Sequence, residues 1–280
     1  MKIGFIGASR AGISLSLYFI QKGLNVEGFF NRTYENALKA ARLTNTTAYK
    51  TLSDIIKNTD VIILSVADSA IEEVAKNLPQ NLIKEKCIGH LSGALSSDAI
   101  KTNCKGKFSL HPIQTLIGHP TDVDKLNAAI FSYEGDEEGE KCAKRILDIM
   151  KNKYIRLKKE EKVQYHLAAT LASNYLIGLL NFSYNLYKKI GFEDDVISQI
   201  IKSLSFASIE NFLKDRLNSL TGPASRGDIE TLKKHYQVLE GDKKQVFLEL
   251  VRLASDIIFE KGDFDLHEKL KKFIESKGGI

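Results

Sequence analysis

Met1-Lys2-Ile3-Gly4-Phe5-Ile6-Gly7-Ala8-Ser9-Arg10-Ala11-Gly12 opens the chain, and this stretch decides the fold. Residues 2–6 form a short apolar run that reads as a strand, and residues 11–22 carry helical spacing up to Gly23. Between them Gly7, Ser9 and Gly12 fall on G-x-G-x-x-G spacing, with Ser9 in place of the second glycine. Gly7 permits a tight turn, and Gly12 lets the helix pack closely on the strand. The helix then presents free amides and the positive end of its dipole to a phosphate. The Ser9 hydroxyl is small enough to keep that approach open and can donate to the phosphate, while Arg10 adds charge. The spacing alone is a weak signal. Its place after a first strand and before a first helix predicts a dinucleotide-binding turn.

Outward from this turn the pattern repeats. Residues 25–30, 60–66, 87–91, 107–110, 128–133 and 154–157 read as strands, and 34–43, 69–78 and 137–150 as helices. Alternation of this kind predicts an α/β, doubly wound Rossmann sheet of mostly parallel strands. The pattern changes near Lys158. Residues 162–189, 194–217, 229–239, 243–261 and 266–276 all have helical period, broken at Gly191, Gly222-Pro223 and Gly262. Two domains are therefore expected: 1–158, binding a dinucleotide, and 159–280, all-α, for substrate and dimerisation.

With 280 residues, 43% of them hydrophobic and 27% charged, the chain has enough apolar material for two modest cores. The formal charge of +5 comes from scattered lysines rather than a basic stripe, so no nucleic-acid partner is expected. Cys87, Cys104 and Cys142 make an odd count without metal spacing, which predicts free thiols and no metal site. Arg10 interrupts the apolar start and no small-residue cleavage pattern follows. No uncharged run is long enough to span a bilayer. A cytoplasmic protein is expected, with no membrane partner.

The second strand ends in Asn31-Arg32-Thr33, where NAD-specific sites place an acid for the ribose hydroxyls. Arg32 instead suits a 2′-phosphate, with Asn31 and Thr33 as hydrogen-bonding neighbours, so NADPH is the expected cofactor. Val66 and Ala67, at the carboxyl end of the next long strand, are expected beside it, and Asp68 is expected to cap the helix that follows. The Ser92-Gly93 turn after His90 suits contact with nicotinamide or with a substrate carboxylate. His111, read as lying in the loop after the sixth strand, is a candidate proton donor. His166, Thr170 and Asn174, spaced i, i+4 and i+8, line one face of the first long helix of the second domain. Arg226, beside Gly227 and Asp228, can clamp a carboxylate, whereas Asp228 is explained as a helix cap.

The glycine loop, Asn31-Arg32-Thr33, His90-Leu91-Ser92-Gly93-Ala94-Leu95, Ser109-Leu110-His111-Pro112, the segment from Tyr165-His166 to Ser173-Asn174-Tyr175, and Thr221-Gly222-Pro223 with Arg226-Gly227-Asp228 together resemble one family. It is the Rossmann-like group whose helical C-terminal domain has no known function. That group is similar to the 6-phosphogluconate dehydrogenase-like superfamily of ketopantoate reductase, pyrroline-5-carboxylate reductase and the β-hydroxyacid dehydrogenases. The resemblance implies a helical domain that completes the active site, and a homodimer. Hydroxyacid members carry a lysine and an asparagine four residues apart on the first long helix. Asn174 matches the asparagine, Thr170 stands where the lysine would be, and His166 is the replacement acid.

The expected activity is NADPH-dependent reduction of a small 2-oxo acid, with ketopantoate reduction in pantothenate synthesis as the leading candidate. His166 donates the proton, Asn174 and Thr170 bind the substrate, Ser92 and Gly93 hold its carboxylate, and His111 is the reserve acid. A histidine near its ordinary pKa of ~6.5 can serve as such a donor. The alternatives are an imine reductase similar to pyrroline-5-carboxylate reductase, whose protonated substrate needs no strong acid, and a non-catalytic NADPH sensor.

Overall fold

The structure is a computed structural model that describes residues 1–278. In chain order its elements are β1 (Lys2–Ile6), α1 (Arg10–Gln21), β2 (Asn25–Phe30), α2 (Tyr34–Thr44), β3 (Thr47–Tyr49), α3 (Leu52–Lys57), β4 (Val61–Leu64), α4 (Ile71–Lys76), α5 (Gln80–Ile83), β5 (Cys87–His90), β6 (Gly106–Ile113), α6 (Asp122–Ala128), β7 (Ile130–Gly135), α7 (Glu137–Met150) and β8 (Tyr154–Arg156). Helices α8 (Lys162–Thr170), α9 (Leu176–Lys189), α10 (Asp194–Lys214), α11 (Ile229–Gln237), α12 (Lys243–Glu260) and α13 (Phe264–Glu275) follow, with a π-helical turn at Leu171–Tyr175.

One sheet takes all eight strands in the order β3-β2-β1-β4-β5-β6-β7-β8. Every neighbouring pair is parallel except β6 with β7. The order reverses between β1 and β4, so a ligand crevice is expected at the carboxyl ends of these two strands. β4 is buried along its whole length, as its Val-Ile-Ile-Leu sequence requires of a strand covered on both faces. Phe5, Phe19, Phe29, Phe108 and Phe131 fill one face of the sheet. Ile55, Ile62, Leu64 and Ile88 fill the other.

The short strand β3 and helices α3, α5 and α6 escape a sequence reading because three to seven residues hold too little periodicity. β6 is longer than expected. It continues past Leu110 through His111 and Pro112 to Ile113, so His111 is a strand residue and not a loop residue. Beyond Ser109 it pairs with β7 alone, and an edge of this kind tolerates a proline.

The chain divides into two compact units, Met1–Ile177 and Gly178–Ile280. The change of pattern near Lys158 marks the end of the strands, but α8 packs with the sheet because its first residue, Lys162, is completely buried. The second unit is all-α, and its core gathers Leu232, Leu248, Val251, Leu270, Phe273 and Ile274.

Candidate functional site

The glycine turn has the geometry that a dinucleotide needs. Gly7 has φ +96°, and a Cβ there would lie 2.1 Å from the Ser65 carbonyl oxygen. A Cβ on Gly12 would lie 1.9 Å from Ser65 Oγ. Both glycines are thus fixed by close approach of α1 to the end of β4. Ser9 caps α1: its Oγ accepts from the Gly12 amide at 3.2 Å and pairs with Ser65 Oγ at 2.7 Å. When Ser65 is the donor of that pair, the Ser9 proton stays available to a phosphate. The amides of Arg10 and Ala11, in the first turn of α1, have no intrahelical acceptor and remain for an anion.

A cavity of about 430 Å³ adjoins this turn, lined among others by Gly7, Phe30, Asn31, Arg32, Val66 and Ala70. It has apolar walls for a base, and Arg32 stands at the end of β2. Asn31 Oδ1 accepts from the Thr33 amide at 3.0 Å, which shapes the turn that carries Arg32. Ala67 is exposed beside Val66. The residues present therefore fit a phosphorylated dinucleotide: a cradle that a Cβ would fill, free amides at a helix start, and a guanidinium where a 2′-phosphate would be neutralised.

A second cavity of about 530 Å³ lies within the first unit. His111 and residues 113–116 form one wall, and His166, Thr170, Ser173 and Asn174 the other. The sequence-predicted stripe on α8 does face one space. Thr170 is partly committed, because its Oγ1 donates to the His166 carbonyl at 2.8 Å. The π-helical turn begins directly after Thr170 and carries Asn174. Such turns recur at functional sites because they break the helical ladder locally.

His111 is held by a short relay. Ser132, opposite it in the β6–β7 ladder, donates from Oγ to the Tyr165 hydroxyl at 3.0 Å. Tyr165 then gives its proton to His111 Nδ1, 2.7 Å away. This pattern assigns the remaining ring proton to Nε2. Burial pushes the His111 ring down to about 3, helped by the charge of Lys162 and by the His166 and His90 rings. His111 is therefore an uncharged N–H donor at physiological pH. The His166 ring stands 6.0 Å away, centroid to centroid.

Gly93 is wedged between the two rings. A Cβ on it would lie 2.5 Å from His166 Cδ2 and 2.9 Å from His111 Cε1. Ser92, by contrast, does not offer its hydroxyl to a ligand. Its Oγ donates to Asp68 at 2.6 Å and accepts from the Ala94 and Leu95 amides. Asp68 accordingly anchors this turn instead of capping the helix after it. His90 is buried and neutral: Nε2 donates to the Ser96 carbonyl at 3.0 Å and Nδ1 accepts from the Ser92 amide at 3.2 Å. Burial takes its pKa down to about 4.

Lys162 lies beneath this turn, where no local sequence pattern marks it. It is 0% exposed, and its Nζ donates to Ser109 Oγ at 2.6 Å and to the Ser92 carbonyl at 3.2 Å. Burial lowers its pKa to about 8, against the upward pull of Glu134 and Asp68. The only sequence signal was a lysine in the first turn of a helix, where the dipole disfavours a cation. Arg226 belongs to the second unit, where Asp228 caps α11 through the Thr231 amide at 3.0 Å.

Residues 2–88 match the family described as NADP oxidoreductase, coenzyme F420-dependent. Residues 129–254 match a family described as a domain of unknown function, DUF2520. No curated protein matches the chain. Among solved structures, a protein of Thermotoga maritima is 26% identical, with a TM-score of 0.71 over 92% of this chain and 99% of its own. A Bacteroides fragilis protein provisionally called an NADP oxidoreductase is 20% identical, with a TM-score of 0.74 over 90% of this chain and 97% of its own. The pyrroline-5-carboxylate reductase of Streptococcus pyogenes shares 13% identity, with a TM-score of 0.63 over 98% of both chains. The chain thus has an N-terminal segment similar to NADP oxidoreductases, within a Rossmann-type sheet, and a later segment similar to DUF2520. None of these three proteins carries the name of a ketopantoate reductase. Among the described residues no helix is long and apolar enough to cross a membrane, and no acidic, histidine or cysteine cluster has metal-binding form.

Proposed function

We propose that this chain is an NADPH-dependent reductase of a carbon–nitrogen double bond, of the imine-reductase and pyrroline-5-carboxylate-reductase kind. This reading replaces reduction of ketopantoate. The observation that carries it is His111: a ring kept uncharged by burial and aimed by Tyr165 at the wall of the 530 Å³ cavity. A 2-oxo acid becomes an alkoxide on reduction and needs a ready acid. A protonated imine arrives with its proton and leaves as a neutral amine, so no acid is required, and an uncharged N–H meets the lone pair that develops on nitrogen as the hydride arrives.

When bound, NADPH supplies the hydride. Arg10 and Ala11 hold the diphosphate with their amides, Arg32 with Asn31 and Thr33 receives the 2′-phosphate, and Gly7, Val66 and Ala67 form the floor. Gly93 brings backbone rather than side chain up to the His111 and His166 rings. His111 Nε2–H orients the substrate, with Asn174 and Thr170 on the facing wall, and His166 is the second donor. A second copy of the chain covers α10, where only Ile197 is buried while Leu204, Phe206 and Leu213 are 59–78% exposed.

The test is loss of NADPH absorbance with a panel of cyclic imines and 2-oxo acids, ketopantoate included. Turnover confined to the imines is expected, with His111→Leu losing roughly 10-fold and His166→Gln less. Turnover of ketopantoate alone would return the assignment to the oxo acids. Tight NADPH binding without oxidation of any probe would favour a cofactor sensor.

A further inference from the structure

Two rungs of the β6–β7 ladder carry the floor of the His111 cavity. Ser109 is paired with Glu134 on one rung, and His111 with Ser132 on the next rung of the same face. Helix α8 places one side chain on each. Tyr165 reaches the His111–Ser132 rung, and Lys162, one turn earlier, reaches Ser109. Lys162 is sealed from solvent and does not line the cavity, so it touches no substrate.

We propose that Lys162 is a positioning residue for the reduction, its buried ammonium clamping the Ser92-Gly93 turn against the two histidine rings and standing as a fixed charge beside His111. The proposal rests on the reading of the His111 cavity as the active site.

The clamp is visible in the bonds. Lys162 Nζ and Ser109 Oγ both donate to the Ser92 carbonyl, at 3.2 and 3.0 Å. The next residue is Gly93, whose backbone fills the gap between His166 and His111. A turn pulled this way from below and tied to Asp68 through the Ser92 hydroxyl has little freedom to drift. The electrostatic part follows from what surrounds each group. His111 faces Tyr165, His166 and Lys162 from α8 and His90 from β5, and none of these is an anion. Lys162 faces Glu134 on β7 and Asp68 after β4. Glu134 is engaged by the Ser97 amide at 2.8 Å and hydroxyl at 2.6 Å, so no carboxylate pairs directly with the lysine.

A lysine kept only for folding would not be placed here. Burial and a helix N-terminus both work against its charge. Because its pKa is lowered in the folded chain, the charge opposes folding fully below about pH 8. That opposition fades as pH rises toward the unfolded value near ~10.4. Replacing the ammonium with an apolar chain of similar length removes this opposition, and function alone should suffer.

The experiment uses the full chain and the variants Lys162→Met and Ser109→Ala. Lys162→Met is expected to melt no lower than the parent at neutral pH and to bind NADPH within about twofold of it. Its turnover of the best cyclic-imine probe is expected to fall at least ~10-fold. The parent's rate should decline above pH 8, a limb that Lys162→Met lacks. Nitrogen-15 shifts of the imidazoles report on His111 without turnover: its protonation midpoint should rise by about one pH unit in Lys162→Met. Ser109→Ala, which keeps the charge and its direct bond to the Ser92 carbonyl but loses both bonds of the Ser109 hydroxyl, should show a smaller loss of turnover with the His111 midpoint unmoved. Full turnover in Lys162→Met overturns the proposal. So does an unmoved His111 midpoint, or a loss of turnover matched by a loss of stability. If the parent reduces no imine or oxo acid at all, the functional reading fails, while the melts and ring shifts still decide whether the Lys162 charge stands beside His111.

Discussion

Replacing Asp122 with asparagine should loosen the strap that runs beside the phosphate turn. Asp122 is fully buried at the start of α6. Its Oδ2 accepts from Ser14 Oγ at 2.7 Å, Ile117 N at 2.8 Å, Gly118 N at 3.0 Å and His119 N at 3.4 Å. Its Oδ1 accepts from Lys125 Nζ at 3.1 Å. Ser14 lies on α1, and a Cβ on Gly118 would be 3.2 Å from Arg10 Cα, so one carboxylate ties this loop to the helix that receives the diphosphate. Hydrogen bonds to a charged group contribute roughly 1.5–3 kcal/mol each, about twice a neutral bond. Asparagine keeps one neutral acceptor and sets an N–H₂ against either Lys125 or the amides. Halving two or three such bonds, less the relief of an unburied charge, gives a net loss of about 2 kcal/mol. Ser14→Ala, losing the hydroxyl's bond to this carboxylate, should lose about 1.5 kcal/mol.

The pH dependence provides a second check. Burial alone would raise the Asp122 pKa, but bonds from Ser14, Ile117, Lys125 and His119 outweigh it and hold the carboxyl well below its usual range. A lowered folded pKa gives stability that is present above the unfolded value of ~3.9 and lost as pH falls toward the folded one. The gap between parent and Asp122→Asn should therefore be full at pH 7 and shrink by about 1 kcal/mol between pH 5 and 3. Urea melts at the three pH values measure it, and NADPH affinity should fall several-fold in parallel. A variant as stable as the parent at pH 7, or a gap that ignores pH, would refute the assignment of these bonds.

Gly12→Ala drives a Cβ to within 1.9 Å of Ser65 Oγ; α1 must shift, and calorimetry should record at least ~10-fold weaker NADPH binding, with parent-like binding counting against the cradle. Arg32→Glu should erase most of the preference for NADPH over NADH, by roughly 10–100-fold, since it replaces a charge-assisted bond with repulsion; an unchanged ratio of the two dissociation constants would place the 2′-phosphate elsewhere. Tyr165→Phe removes the group that assigns the Nδ1 side of His111; imidazole nitrogen shifts should show mixed tautomers and turnover should fall, whereas a single Nε2–H tautomer would mean the phenol does not set it.

The first strand, the glycine turn and the change to helices near Lys158 were legible because each depends on local chemistry. Strand burial follows from runs such as Val61–Leu64, the turn from residues without Cβ, and helices from period. Arg32 at the end of β2 was likewise readable, because the strand's own length delivers it to the crevice. The stripe His166, Thr170 and Asn174 was readable from spacing, although the π-helical turn within it was not.

By itself, then, the order of residues determined a Rossmann sheet with a phosphate-binding turn and a helical second half. The pairing of β6 with β7 was decided only by tertiary structure, since registry between strands depends on contacts no local window contains. That pairing moved His111 from loop to strand, set it opposite Ser132, and let α8 lower Tyr165 and Lys162 onto adjacent rungs. Ser92 looked like a ligand-binding hydroxyl, yet Asp68, distant in sequence, took its proton. A side chain's chemistry is written in the chain, but the partner that consumes or frees it is supplied by whatever the fold brings within about 3 Å.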